Sequence, residues 1–220
     1  MNFELKKRIM TSFILISLVI AMYFFSFIMI CALLIIATIT WIEFYNLISK
    51  VFKKKSTMNK FFKVLYKSLS LLYLSSLVLL IFFIESNHQN LKVYLFYSLL
   101  VAILSDTGGM IVGKNLKGKK LTKISPNKTI SGSCGSFVFS LLLIPFFYFE
   151  LLNNDLLSLI FITLIISLTS QLGDLFISYI KRKAKVKNTS DILPGHGGFL
   201  DRVDGIIFAI PIGLLLFNLF

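Results

Sequence analysis

The chain has 220 residues, of which 56% are hydrophobic and 15% are charged. Apolar runs of about 18 residues or more with almost no charge are typical of membrane-spanning helices, so this composition excludes a water-soluble enzyme. The formal net charge of +13 would suggest nucleic acid in a soluble protein, but the positions of the cations argue against such a partner.

The apolar runs predict an all-α fold, a polytopic integral membrane protein with about seven transmembrane helices. The first run, from Ile9 to Ile42, is too long for one span, and a turn near Phe24–Ser26 is expected to divide it. It is also about twice the core length of a signal peptide, so we interpret it as retained. Further spans are predicted over residues 63–84, 92–112, 131–149, 156–179 and 203–220.

The basic residues fall on one predicted side of the membrane. With a cytoplasmic N-terminus, 22 of the 23 lysines and arginines lie in the inner segments, which are residues 1–8, 50–67, 113–130 and 180–202. This asymmetry follows the positive-inside rule and supports the topology. Lysines at the inner surface contact anionic lipid head groups, so we expect the lipid bilayer as a partner and no nucleic acid.

Four aspartates lie within or beside the predicted spans at a similar depth: Asp106, Asp174, Asp201 and Asp204. Isolated carboxylates there are costly, so we expect them to face a wet cavity near the cytoplasmic face and to meet cations. Asp201 and Asp204 are expected to open the last helix, where a spacing of three residues puts both on one face. Hard oxygen ligands near phosphate suit Mg²⁺, and Asp174, Asp201 and Asp204 are the predicted ligands.

A structural role is the alternative for these carboxylates. Asp201 and Asp204 would then belong to an ion-pair network that only holds helices together. The cations available for it are Lys181, Arg182 and Arg202. Glu43, at the end of a predicted span, is assigned to such a structural role.

The first basic loop precedes the span predicted at residue 131. Ser125 and Lys128 lie just before this helix, whose N-terminal amides are a natural site for an anion. Gly113 to Lys119 matches the phosphate-binding pattern GxxxxGK. However, Lys120 stands where that motif needs Ser or Thr, and no strand precedes it, so we interpret the match as chance.

The second basic loop, residues 181–202, combines cations with a glycine-rich turn. Gly197 and Gly198 give a backbone without side chains, which phosphate oxygens can approach closely. His196, between the cations and the paired aspartates, is interpreted as a substrate contact.

The order of residues around this second loop is similar to the signature of phosphatidate cytidylyltransferases. The residues that match it in type and spacing are Ser178, Ile180, Lys181, Arg182, Lys187, Ser190, Leu193, Pro194, His196, Gly197, Gly198, Phe199, Asp201, Arg202, Val203 and Asp204. Upstream, three more motifs resemble the family: Asp106-Thr107-Gly108, Ser125-Pro126 with Lys128-Thr129, and Gly173-Asp174-Leu175-Phe176. The departures from the family pattern are Asn127, Ile130, Ser131, Ile177 and Asn188.

The resemblance implies that CTP and phosphatidate yield CDP-diacylglycerol and pyrophosphate in phospholipid biosynthesis. The catalytic residues it implies are Asp174, Asp201, Asp204, Lys128 and His196. The substrate-binding residues are Ser125, Lys181, Arg182, Lys187, Gly197, Gly198, Arg202 and Asp106. Mg²⁺ is the expected cofactor, a second monovalent or divalent cation is left open, and the family implies a homodimer.

The predicted organisation is one membrane domain in a bacterial inner membrane, with its active site on the cytoplasmic face. Residues 1–100 would form N-terminal transmembrane helices, and residues 101–220 a catalytic transmembrane region with cytoplasmic loops. The alternative enzyme is a CTP-dependent lipid-alcohol kinase. A membrane transporter is the alternative from another class, although it would need polar residues near the bilayer midplane of several helices.

Overall fold

The computed structural model describes residues 3–53, 56–87, 89–122, 125, 128–151, 155–193 and 197–219. In these ranges the regular structure is helical, and β-structure is limited to two isolated bridges, Lys120 with Thr129 and Leu193 with Gly197. The helices are α1 (Phe3–Phe24), α2 (Ser26–Val51), α3 (Thr57–Asn87), α4 (Gln89–Leu116), α5 (Ile130–Leu141), α6 (Ile144–Phe147), α7 (Leu156–Lys183), α8 (Leu200–Val203) and α9 (Ile206–Leu219).

Most of the long described helices have the length and composition of membrane spans. Five segments are long and apolar enough to cross a bilayer: Ser26–Val51, Thr57–Ile84, Lys92–Leu116, Ile130–Phe147 and Leu156–Lys183. Shorter apolar helices are Met10–Phe24 and the 14-residue α9. Phe13, Phe27 and Leu157 are between 73% and 79% exposed, as suits side chains that contact lipid tails. The prediction of an all-α, polytopic membrane protein is confirmed.

Two helix breaks can be compared with the predicted spans. The turn expected near Phe24–Ser26 lies at Phe25, whose extended backbone (φ −122°, ψ 105°) separates α1 from α2. The predicted span over 131–149 is interrupted, because α5 ends at Leu141 and α6 begins only at Ile144. Pro145 follows in the first turn of α6, where the missing N–H of proline costs no helical hydrogen bond.

The prediction that Asp201 and Asp204 open one helix was wrong. Asp201 lies in α8, which ends at Val203, and α9 begins at Ile206. Between the two helices, Asp204 Oδ1 accepts a hydrogen bond from the Gly205 N–H at 3.0 Å. Such a local bond from side chain to backbone competes with helix formation. The spacing of three residues therefore does not put both carboxylates on one helix face.

The chain forms two compact units. The first consists of Met1–Asn87 with Ile180–Arg202, and the second of His88–Tyr179 with Val203–Phe220. The predicted division at residue 100 stays a prediction. In the second unit, Tyr97 is fully buried in the apolar core, and its hydroxyl lies 2.6 Å from Thr163 Oγ1. The core of this unit thus gives its buried phenol the polar partner that it needs.

Glycines allow α4 and α5 of the second unit to approach each other closely. A Cβ atom on Gly108 would lie 2.5 Å from Phe139 Cβ, and one on Gly109 would lie 2.5 Å from Ser136 Oγ. On the facing helix, a Cβ atom on Gly135 would collide with Val112. Membrane helices associate through such small residues because lipid offers no hydrophobic force between them.

We expect Gly135→Ala to destabilise the protein by about 1–3 kcal/mol, because the added methyl group overpacks the α4–α5 contact. Val138→Ala on the same helix is the control, since Val138 is 57% exposed and its truncation should cost less than about 0.5 kcal/mol. Thermal unfolding in detergent micelles measures both. Equal unfolding midpoints for the two variants would contradict the close packing of these helices.

Candidate functional site

The second basic loop follows α7 and leads into α8. We call residues 184–199 the signature loop. Its described part has no helix, and a pair of hydrogen bonds joins Leu193 to Gly197, with N···O distances of 2.9 and 3.1 Å. Gly197 has a φ of +85°, a backbone conformation that side chains with a Cβ atom rarely adopt. A glycine is therefore required at this position of the loop. His196 lies outside the described residues.

Asp201 is bound from several directions within the first unit. Lys181 Nζ donates to its Oδ1 at 2.6 Å, and both side chains are mostly buried, with exposures of 13% for Lys181 and 10% for Asp201. The other carboxylate oxygen accepts hydrogen bonds from Thr189 N–H at 2.9 Å, Thr189 Oγ1 at 3.0 Å and Gly198 N–H at 3.2 Å. Asp201 thus joins the end of α7 to both sides of the signature loop.

These contacts favour the ionised form of Asp201. Burial acts to raise the pKa of its carboxyl group, but the Lys181 ammonium and the amides of Thr189 and Gly198 outweigh burial and lower the pKa below the ordinary 3.8. A group whose pKa is lower in the folded state stabilises the fold above its unfolded-state pKa. This contribution is therefore complete at neutral pH and is lost as the pH falls through the lowered value.

Glu43 of α2 holds the same loop from another side. Its side chain is buried, with 2% exposure, and the described residues supply four neutral donors. Oε1 accepts from Ser190 Oγ at 2.5 Å and from Phe199 N–H at 2.9 Å. Oε2 accepts from Thr189 Oγ1 at 2.7 Å and from Leu200 N–H at 2.8 Å. Each carboxylate oxygen thus lies within hydrogen-bond distance of two donors, and none of these donors is a cation.

A second lysine–carboxylate pair lies in the second unit. Lys128 forms an ion pair with Asp174 Oδ2, and Asp174 Oδ1 accepts from Ser178 Oγ at 3.3 Å. The backbone fixes Lys128, because its N–H donates to Ser125 O at 3.1 Å and its C=O accepts from Leu121 N–H at 2.8 Å. The predicted residues Ser125 and Lys128 are thus neighbours, and Lys128 meets a predicted carboxylate.

Asp204 lies close to the Asp174 segment in the same unit. A Cβ atom on Gly173 would lie 2.8 Å from the Asp204 backbone oxygen, and one on Gly205 would lie 2.5 Å from Ser170 Oγ. Glycine at both positions lets α7 and the turn before α9 touch through their backbones. Asp174 and Asp204 therefore come from adjoining backbone segments.

The remaining predicted residues divide between the units. Arg182, Lys187 and Arg202 are exposed and belong to the first unit, whereas Asp106 is exposed on α4 of the second. Among the described residues, no three His, Cys, Asp or Glu side chains form a group that could hold a metal ion. The predicted metal set of Asp174, Asp201 and Asp204 stays a prediction.

The carboxylates differ in how well they suit a metal ion. Asp201 has four contacts, three of them on Oδ2 from Thr189 and Gly198 and one on Oδ1 from the Lys181 ammonium. For Asp201 this geometry favours the ion-pair alternative. Asp174 and Asp204 are oxygen donors on adjoining segments, and this donor type fits Mg²⁺.

The sequence interpretation missed the connection between Glu43 and the signature loop. Glu43 and Ser190 are 147 positions apart. A periodic sequence pattern predicts contacts within a helix or strand, and it does not predict a contact between a membrane helix and a distant loop. One signal was available, because an unpaired carboxylate inside an apolar run is costly enough to require donors from elsewhere in the protein. Thr189, with 7% exposure, was not singled out either, although it contacts both carboxylates.

We expect Asp201→Asn to loosen the signature loop, because the new amide group would face N–H donors that it cannot satisfy. Trypsin, which cleaves after the basic residues of this loop, should cut the variant at least about tenfold faster than the parent protein. Asp191→Asn is the control, since Asp191 is an exposed aspartate of the same loop. Equal cleavage rates in both variants would show that Asp201 does not hold the loop.

Comparisons with known proteins agree with the signature. A family model described as "Cytidylyltransferase family" matches residues 3–220. Phosphatidate cytidylyltransferase of Staphylococcus aureus (strain COL) is 44% identical over 133 residues, which cover 60% of this chain and 51% of the relative. The Bacillus subtilis (strain 168) protein of the same name is 43% identical over 129 residues, covering 58% and 48%. That of Rickettsia bellii (strain RML369-C) is 40% identical over 157 residues, 68% of each chain.

The chain spans about half the length of the staphylococcal and Bacillus relatives that it matches. The family model nevertheless extends over almost all of the chain, and the resemblance inferred from the signature is confirmed. The chain belongs to the cytidylyltransferase family.

Proposed function

We propose that this protein transfers the cytidylyl group of CTP to phosphatidate, giving CDP-diacylglycerol and pyrophosphate. Relatives named phosphatidate cytidylyltransferase support this assignment. The observation that carries it is the construction of the signature loop. Asp201 and Lys181, whose side chains are mostly buried, fix the loop, while Arg182, Lys187 and Arg202 on the same stretch of chain are exposed. Exposed cations beside a fixed glycine turn suit the phosphates of a nucleotide.

The reaction joins two anions. A phosphate oxygen of phosphatidate attacks the α-phosphorus of CTP, a new P–O bond forms, and the bond to the β-phosphate breaks to release pyrophosphate. Catalysis of such a transfer is mainly positioning and charge neutralisation. In this proposal Arg182, Lys187 and Arg202 bind the triphosphate, Lys128 neutralises a phosphate, and His196 stays a predicted substrate contact.

Mg²⁺ is the cofactor that we propose for this reaction. Asp174 and Asp204 would hold it, because both come from adjoining segments of the second unit, and the place of Asp201 in the metal set stays a prediction. When bound, the ion neutralises phosphate charge and orients the transferred group. A second cation stays a prediction from the family resemblance.

The protein is a multi-pass membrane protein, and its bacterial relatives point to a cell membrane. We further propose that the active site faces the cytoplasm. The distribution of 22 of 23 basic residues over the segments predicted to be internal supports this orientation. A homodimer is proposed from the family resemblance alone.

We expect purified protein with labelled CTP, phosphatidate and Mg²⁺ to produce a lipid-extractable cytidine compound and an equal amount of pyrophosphate. The alternative lipid-alcohol kinase would release CDP from the same nucleotide, because it transfers the γ-phosphate. Chromatography of the nucleotide products distinguishes the two reactions. CDP together with a phosphorylated lipid would establish the kinase. If CTP stays intact with every lipid tested, the proposed reaction is wrong and the transporter becomes the favoured alternative.

We expect Asp174→Asn and Asp204→Asn each to lower activity at least about a hundredfold and to weaken the response to added Mg²⁺, since each removes a metal-facing charge. Glu150→Gln is the control, because Glu150 is exposed and lies in a predicted outer turn. Activity is measured over a range of Mg²⁺ concentrations after removal of divalent ions with a chelator. Full activity in the chelator, or parental behaviour of Asp204→Asn, would contradict the metal role.

A further inference from the structure

Glu43 is a deeply buried carboxylate of the first unit, and the proposed reaction does not explain its purpose. It lies on a predicted transmembrane helix, outside the signature, with 2% exposure. Its two oxygens bind two separate parts of the signature segment. Thr189 and Ser190 precede the Leu193–Gly197 bridge of the loop, whereas Phe199 and Leu200 follow it. One side chain therefore fixes the distance between the two arms of the loop.

The arrangement also reaches the candidate site. Thr189 Oγ1 lies 2.7 Å from Glu43 Oε2 and 3.0 Å from Asp201 Oδ2. A hydroxyl group has one proton, so it donates to one of these carboxylates at a time. The orientation of the Thr189 hydroxyl and the position of its side chain thus couple Glu43 to the Asp201–Lys181 pair. We therefore expect a change at Glu43 that moves or reorients Thr189 to alter the contacts of Asp201.

Gly198 fits the same arrangement. A Cβ atom on Gly198 would collide with Thr189 Oγ1 and would lie 2.7 Å from Glu43 Oε2. The glycine is therefore needed for the approach of the loop backbone to the buried carboxylate, in addition to any approach of phosphate. The side chain of Glu43 and the backbone of Gly198 are therefore packed directly against each other.

We propose that Glu43 is a positioning residue for the signature loop, and that it sets the affinity for CTP without touching the nucleotide. This inference rests on the proposed function for its kinetic consequence only. Glu43 binds both arms of the loop, the arms carry Lys187, Gly197 and Gly198, and the loop must hold these groups at fixed separations to receive a triphosphate. The requirement is for four acceptor positions, which only a carboxylate of this length provides.

Glu43→Gln is the decisive variant because it keeps the shape of the side chain and removes half of its acceptor capacity. The two hydroxyl groups can rotate to accept from the new amide. The backbone N–H groups of Phe199 and Leu200 cannot reverse, so one of them faces the Gln amide in either orientation. The defect should therefore concentrate on one arm of the loop.

The first measurement is hydrogen exchange of the full-length protein in detergent micelles or nanodiscs. In Glu43→Gln, the amides of Phe199 and Leu200 should exchange at least about tenfold faster than in the parent, while those of α3 keep their rates. Thr40→Val is the matched control, since Thr40 is on the same helix, is 1% exposed, and has a hydroxyl without a hydrogen-bond partner among the described residues. Thr40→Val should leave the exchange rates of Phe199, Leu200 and α3 at their parental values.

The second measurement is steady-state kinetics per folded molecule. Glu43→Gln should lower kcat/KM for CTP at least about tenfold while the KM for phosphatidate stays within about twofold of the parent value. Ser190→Ala removes one of the described donors to Glu43 and should weaken CTP use in the same direction. A merely structural residue would lower the yield of folded protein and leave these constants unchanged.

The outcomes separate the two proposals. Unchanged exchange at Phe199 and Leu200 in Glu43→Gln would overturn the positioning role, whatever the activity. Altered exchange with unchanged CTP kinetics would overturn the link to CTP affinity. If the parent protein transfers no cytidylyl group, the proposed function fails, while the exchange data still decide whether Glu43 holds the loop. If Glu43→Gln does not fold, exchange in Ser190→Ala decides by the same criterion.

Discussion

A carboxylate that leaves water must recover its hydrogen bonds from protein donors, and this constraint shapes the first unit. Glu43 is buried and the Asp201 side chain is mostly buried, and the Thr189 hydroxyl contacts both of them. Their described donors are backbone amides of Thr189, Gly198, Phe199 and Leu200 together with the side chains of Lys181, Thr189 and Ser190. The loop can therefore lack regular secondary structure and still have a defined position, because its polar backbone is bound to two fixed anions.

A second constraint, the close packing of helices, explains why glycines accompany the aspartates of the family motifs. Gly173 precedes Asp174 and lets α7 touch the backbone of Asp204. Gly108 follows Asp106 closely and packs against Phe139 of α5. In both places the glycine brings backbones together beside a carboxylate. The motifs thus encode helix packing as well as chemistry, and a substitution at the glycine would displace the neighbouring charge.

The sequence predicted the features that depend on local pattern. Uniform apolar runs identified the membrane helices and the break at Phe25, and fixed offsets identified the family. The sequence did not predict the features that depend on tertiary contacts. The break between α8 and α9 depends on Asp204 and Gly205, and a span prediction based on hydropathy passes over a break of two residues. The partners of Glu43 lie about 150 positions away (146 to 157), so only the folded chain reveals them.

Two of the three lysines that the resemblance assigned to the substrates are already paired in the protein: Lys128 with Asp174 and Lys181 with Asp201. A lysine held by a carboxylate keeps its charge and position, but it must exchange partners to bind a phosphate. For Asp201 the exchange is eased, because the amides of Thr189 and Gly198 continue to stabilise the carboxylate after the lysine leaves. Asp174 has Ser178 as its other described donor, so the departure of Lys128 leaves it with more uncompensated charge. A cation is thus needed more at Asp174 than at Asp201, which is why the proposed metal ion is assigned to Asp174 and Asp204.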